Sequence, residues 1–135
     1  MKNYRKITIL DLFSSEVARL NKIKNATEDR EILDNVGYTA NRLNEIQKAS
    51  GIQITISSGF RCKELNDAVG GKEDSKHLIG LAADIVWEES LFEFIKDNCS
   101  FDHLYREEKS YVKWIHVDFC RNSDDEQNIV ENIKL

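Results

Sequence analysis

Leu81-Ala82-Ala83-Asp84-Ile85-Val86-Trp87 is a continuous apolar run broken by a single carboxylate. Seven residues are short for a helix and suit a central strand. The segments on either side extend that reading. Upstream, Ile52, Ile54 and Ile56 alternate with Gln53, Thr55 and Ser57, the period of a half-buried strand. Downstream, Glu88 to Asn98 reads as a helix with Leu91, Phe92 and Ile95 inward, and Phe101 to Arg106 as a further strand. Glu107 to Ser110 has the composition of a hairpin turn, after which Tyr111 to Phe119 returns as a strand. In that strand Trp114, His116 and Asp118 share one face, and Ile115, Val117 and Phe119 the other.

Helices occupy the first half. Ser14 and Ser15 open a short one with Val17, Leu20 and Ile23 in one apolar stripe. Thr27, with Glu28 and Asp29 in the first turn, opens a longer one whose Ile32, Leu33, Val36, Ala40, Leu43 and Ile46 recur at helical spacing until Gly51. Cys62 to Val69 reads as a short helix stopped by Gly70-Gly71. In the tail, residues 121–135, Ser123-Asp124-Asp125-Glu126 has the pattern of a capping box ahead of Ile129, Val130 and Ile133, which predicts a last amphipathic helix or a frayed end. The fold class is α+β: N-terminal helices packed on a small antiparallel β-sheet.

Size and charge bound what this fold does. A chain of 135 residues builds one core, so a single domain is expected over 1–135, its core at about 13–120. With 41% hydrophobic and 32% charged residues it reads as a globular protein. Nineteen Lys and Arg against 24 Asp and Glu give a net charge of −5, which repels phosphate backbones and makes nucleic acid a poor partner. No run approaches the roughly 20 apolar residues of a membrane span. The basic start Met1 to Lys6 is followed by Asp11 within a short apolar stretch, so no signal peptide is expected. Cys62, Cys99 and Cys120 lack paired spacing and fit free thiols.

Three residues call for a common explanation. His77 stands in a glycine-punctuated loop, His116 in the middle of an apolar strand, and Asp84 inside a run otherwise suited to burial. Each histidine taken alone fits a satisfied core residue. A buried carboxylate, however, needs a compensating partner. A zinc ion answers all three: two imidazoles and one carboxylate supply three ligands and leave a fourth position for water. Cys120, on the parity of His116, is a weaker fourth candidate. Protein donors around Asp84 are the metal-free alternative.

Four ordered blocks then carry a resemblance: Ser58-Gly59-Phe60-Arg61, Leu65-Asn66-x-Ala68-Val69-Gly70-Gly71, Ser75-x-His77-Leu78-x-Gly80-x-Ala82-Ala83-Asp84-Ile85, and Trp114-Ile115-His116-Val117. Together, over about Phe13 to Phe119, they resemble the zinc D-alanyl-D-alanine carboxypeptidase family, in its compact subgroup of peptidoglycan peptidases that includes phage lysins. The resemblance implies a fold shared in outline with the Hedgehog signalling domain and zinc held by His77, Asp84 and His116. It implies a substrate drawn from peptidoglycan stem peptides, cut at the terminal D-alanine pair or between L-alanine and D-glutamate. A monomer that acts on the cell wall once released is expected with it.

The resemblance also suggests roles for other residues. Arg61 would bind the scissile carbonyl or a peptide carboxylate, and Ser75 would contact substrate or support a ligand, unless it only caps its loop. Many relatives carry an acid three positions before the last histidine, where this chain has Lys113. Glu107, which ends the block Phe101-Asp102-His103-Leu104-Tyr105-Arg106-Glu107, is therefore the first candidate for the general base, and Asp118 the second, with ligand orientation as its other role. His103 shares the side of Tyr105 and Glu107 and is a candidate supporting donor. Lys113 leaves an alternative open: a non-catalytic zinc-stabilised module that recognises wall peptide or a protein.

Overall fold

The computed structural model describes residues 4–135; Met1, Lys2 and Asn3 of the basic start lie outside the described residues. Its frame is the helix α3 (Arg30–Ser50), preceded by α1 (Ile9–Phe13) and α2 (Glu16–Leu20). Asp29 caps α3 by accepting a hydrogen bond from the Ile32 amide at 3.1 Å, and Gly51, left-handed at φ 70°, ends it. Val36, Ala40, Leu43 and Ile46 are buried along one side. They meet Ala83, Ile85, Ile115, Val117 and Leu104 of the sheet and Leu91 and Ile95 of α5 (Glu89–Asn98) in one apolar cluster. Truncating a core leucine such as Leu43 to alanine costs about 2–5 kcal/mol.

Five strands form the sheet: β1 (Ile56–Ser58), β2 (Ala82–Val86), β3 (His103–Lys109), β4 (Val112–Asp118) and β5 (Ile129–Lys134), in the order β1-β2-β4-β3-β5. Between β1 and β2 lie the short α4 (Lys63–Ala68) and a 3-10 turn, Lys76–Ile79. Ala83, Ile85, Ile115 and Val117 turn to the helices, so the opposite face is left for polar residues. Across that face run the register pairs Asp84↔His116, His116↔Tyr105 and Trp114↔Glu107. No helix among the described residues is long and apolar enough to cross a membrane.

The α+β class stands, and five expectations need correction. The sheet is mixed, because β5 runs parallel to β3. Its strand is the tail expected to be helical or frayed. Glu126, the acid of the apparent capping box, is spent on α3 and on the loop: it pairs with Arg42 at 2.9 Å and accepts from Ser100 Oγ and the Cys120 amide. A brief 3-10 turn, Ser123–Asp125, forms instead, Asn128 takes a left-handed φ of 53°, and Ile129 and Ile133 fit a two-residue period as well as a helical one. Pairing with β3 then gives their backbone groups partners and covers an otherwise bare edge.

The early apolar stripe does not face inward. In the five-residue α2 only Ala18 is buried, while Val17 and Leu20 are 39% and 66% exposed. The strand expected from Ile52 begins only at Ile56, because the Gln47 side chain takes the Ile54 amide at 2.9 Å. Finally, β3 runs through Glu107 to Lys109, and the hairpin turn is the pair Ser110-Tyr111, both left-handed at φ 51° and 68°. Glu107 therefore sits on the ladder and not in the turn.

Candidate metal centre

Two loops and two strands converge on one spot. His77 belongs to the 3-10 turn Lys76–Ile79, which α3 grips through buried polar side chains. Asn35 donates to the Ile79 carbonyl at 2.9 Å and Thr39 to the Gly80 carbonyl at 2.7 Å. Gly80 closes the turn at φ 80°, and a Cβ there would meet Val36 Cγ2 at 2.7 Å, so the close approach needs glycine. Ser75 opens the same turn by accepting from the His77 amide at 3.2 Å; its hydroxyl caps the loop.

Both imidazoles are oriented from behind. His77 Nδ1 lies 2.7 Å from the Gly59 carbonyl, which can only accept, so Nδ1 carries the proton and Nε2 points inward. His116 Nε2 lies 2.7 Å from Asp118 Oδ2 and carries its proton there, leaving Nδ1 inward. The two inward nitrogens lie 3.3 and 3.0 Å from Asp84 Oδ1. One ligand atom from each of His77, Asp84 and His116 falls within 4.8 Å of the others, and all three residues are buried. Three ligand-type atoms thus face one another, with the other nitrogen of each imidazole engaged on the outside, an arrangement suited to a cation in the middle. Two imidazoles and a carboxylate suit a divalent ion.

Asp84 is also held from its far side. Arg61 donates to Asp84 Oδ2 at 3.1 Å, to Asn66 Oδ1 at 3.2 Å and to Ser58 Oγ at 3.1 Å. Burial alone would raise the Asp84 carboxyl, but the charges and hydrogen bonds of His77 and His116 hold it well below the usual range. Burial likewise disfavours a charged His116, yet its bonds to Asp118 and Asp84 raise it to about 10. The field that does this favours any cation at that point.

Glu107 lies beside the cluster, its Oε1 3.7 Å from the inward His116 Nδ1 and accepting from Trp114 Nε1 at 3.2 Å. Burial, aided by the Asp84 charge, raises its carboxyl above the ordinary value. Asp118 lies behind His116: its Oδ2 holds the imidazole, and its Oδ1 accepts from His103 Nδ1 at 2.8 Å and the His103 amide at 3.1 Å. Tyr105 stacks on the His116 ring with centroids 5.3 Å apart. Lys113, on the opposite parity of β4, sets its ammonium 4.8 Å from the Trp87 ring, on the core side. Cys120 Sγ is 3.6 Å from Lys76 Nζ and is not in the cluster.

A sequence profile described as Peptidase M15 matches residues 12–118, the span that contains every residue of this cluster. The chain belongs to the Peptidase M15 family. Its members are metal-dependent peptidases, which accords with the cluster. A search of curated proteins finds no match.

Sequence pattern marks the imidazoles and carboxylates of this cluster but not Trp114 as a partner for Glu107, nor Lys76 and Asp102. Strand parity places Trp114 beside Glu107 once the hairpin register is known. Lys76 carries a weaker signal, a lysine next to a histidine in a buried loop. A recess of about 150 Å³ lined by Ser15, Val17, Ser58, Arg61, Leu65 and Val69 opens beside Arg61. A larger cavity of about 440 Å³, lined by Tyr38, Arg42, Phe94 and Cys99 among others, includes none of the cluster residues. Chemistry and not volume marks the site.

Proposed function

We propose that this protein is a zinc-dependent peptidase that hydrolyses amide bonds in peptidoglycan stem peptides, at the terminal D-alanine pair or between L-alanine and D-glutamate. His77 Nε2, Asp84 Oδ1 and His116 Nδ1 would hold the ion. Bound zinc supplies Lewis acidity, which acidifies water and polarises an amide carbonyl. The observation that carries the catalytic reading is the carboxylate of Glu107, half-buried on the same face and 3.7 Å from the inward nitrogen of His116.

Glu107 accepts the proton of the attacking water and returns it to the leaving amine nitrogen. A carboxyl with a raised pKa does both more readily near neutrality, and the Trp114 N–H keeps it in place. Asp118, with both oxygens committed to His116 and His103, is an orienting group and not the base. Arg61 keeps Asp84 Oδ1 turned to the imidazoles, and its edge on the recess offers a positive charge to a substrate oxygen. Ser75 shapes the His77 turn. Lys113, which stands where many relatives carry an acid and is the feature behind the alternative of a non-catalytic module, sets its ammonium over the Trp87 ring and away from the cluster. A monomer acting at the wall, as lysins do, completes the reading.

Digestion of purified peptidoglycan by the zinc-loaded protein, with Glu107→Gln and Asp118→Asn alongside, tests it by mass spectrometry of the released peptides. The parent should release fragments whose masses identify the bond, and Glu107→Gln should keep zinc and lose turnover. A parent that holds one zinc per chain and releases nothing would falsify the catalytic reading.

A further inference from the structure

Behind His116 a second group gathers on the same face, where β3 and β4 pair His103 with Asp118. Asp102, His103 and Asp118 bring one ligand-type atom each within 4.8 Å of one another, as the first group does. This one is filled from within. Lys76 Nζ lies 2.8 Å from Asp102 Oδ2 and 3.8 Å from Asp118 Oδ1, and donates to the Phe119 carbonyl at 2.9 Å. Asp102 and Asp118 are both buried, and two buried carboxylates side by side need a positive charge. Lys76 is also the residue before His77, so one side chain ties the turn that carries one imidazole to the strand that carries the other.

We propose that Lys76 is a positioning residue: its ammonium is the built-in cation of the second cluster, and by neutralising Asp102 and Asp118 there it keeps Asp118 turned to the Nε2–H of His116. This rests on reading His77, Asp84 and His116 as zinc ligands. Without the ammonium, the two carboxylates have only His103 between them, its Nδ1 3.2 Å from Asp102 Oδ2 and 2.8 Å from Asp118 Oδ1. Asp118 is then drawn toward whatever cation or proton replaces it, and His116 loses its fixed orientation. Groups behind a ligand imidazole typically change metal affinity by about 10–100-fold.

The test uses the full chain as parent, Lys76→Met, Lys76→Arg and Asp102→Asn. For each, the zinc Kd is measured by chelator competition, the visible spectrum of the cobalt form is recorded, and the metal-stripped protein is melted. Lys76→Met should weaken zinc by about 10–100-fold and shift the cobalt bands, while Lys76→Arg, which keeps the charge, should stay closer to the parent. A Lys76→Met protein with the parental Kd and spectrum overturns the proposal, even if its metal-stripped form melts lower, since that is what a purely structural lysine would do. If Lys76→Met does not fold, Asp102→Asn, which removes the closest anchor of the ammonium, should weaken zinc in the same sense, and an unchanged Kd overturns the idea. A parent that binds no zinc removes the ligand reading and this inference together; a tight-binding parent with an indifferent Lys76→Met removes this inference alone.

Discussion

The two acid–imidazole clusters of the sheet are made of the same residue types, adjoin through His116 and Asp118 on β4, and each bring one ligand-type atom per residue within 4.8 Å of the others. In one, His77, Asp84 and His116 turn one ligand-type atom each toward a common point, because Gly59 and Asp118 engage the other ring nitrogens on the outside. In the other, Asp102, His103 and Asp118 surround the ammonium of Lys76. Residue type alone does not separate a metal centre from an ion-paired network. What separates them is which side of each imidazole is already engaged, and whether the chain supplies its own cation.

The comparison breaks most severely if the first cluster needs no ion. His116→Ala should abolish stoichiometric zinc binding, and with zinc a thousandfold above the parental Kd it should forfeit about 4 kcal/mol of stability. Zinc content and melting with and without chelator check this; a variant that keeps both would sink the ligand assignment. Next in size, Glu107→Gln should lower kcat by about 10²–10⁴-fold with zinc content unchanged, measured by peptide release from peptidoglycan.

The second cluster predicts an acid response. Burial alone would raise the Asp102 carboxyl, but Lys76 and the Gln127 amide hold it below the ordinary value. The charged form is thus favoured by folding, so its contribution is complete above the unfolded-state value of about 3.9 and is lost as pH falls through the lower folded value. Urea unfolding between about pH 5 and pH 3 should show the parent losing stability more steeply than Asp102→Asn; parallel curves would separate Asp102 from the network. The smallest effect concerns the turn that feeds both clusters. Ser75→Ala removes its cap and should cost about 1 kcal/mol in the same unfolding measurement, with the cleavage pattern of the peptides unchanged.

Much of the first cluster was legible because burial and polarity conflict in the sequence itself. Asp84 sits in Ala82-Ala83-x-Ile85-Val86, and parity along Tyr111 to Phe119 alone puts His116 and Asp118 on one face. Lys76 was not legible, since an unpaired lysine in a loop reads as solvated and its partners lie 26 and 42 residues away in sequence. The tail misled for a related reason. Ile129 and Ile133 satisfy a helical and a strand period equally, and Glu126 suits a helix cap until Arg42 and the Cys120 amide claim it from afar. Local pattern decides where one face is apolar and the other polar; where partners are distant, tertiary contacts decide.

The hairpin that aligns Glu107 with Trp114 turns on Ser110 and Tyr111, at φ 51° and 68°, with the Tyr111 side chain wholly exposed. Neither residue favours that backbone, which the pair Asn-Gly adopts without steric cost. The loop is therefore a place to engineer thermal robustness at a distance from the chemistry. Ser110→Asn combined with Tyr111→Gly should raise the melting temperature by a few degrees, on the order of 1 kcal/mol, and make a sturdier peptidase with the same cleft.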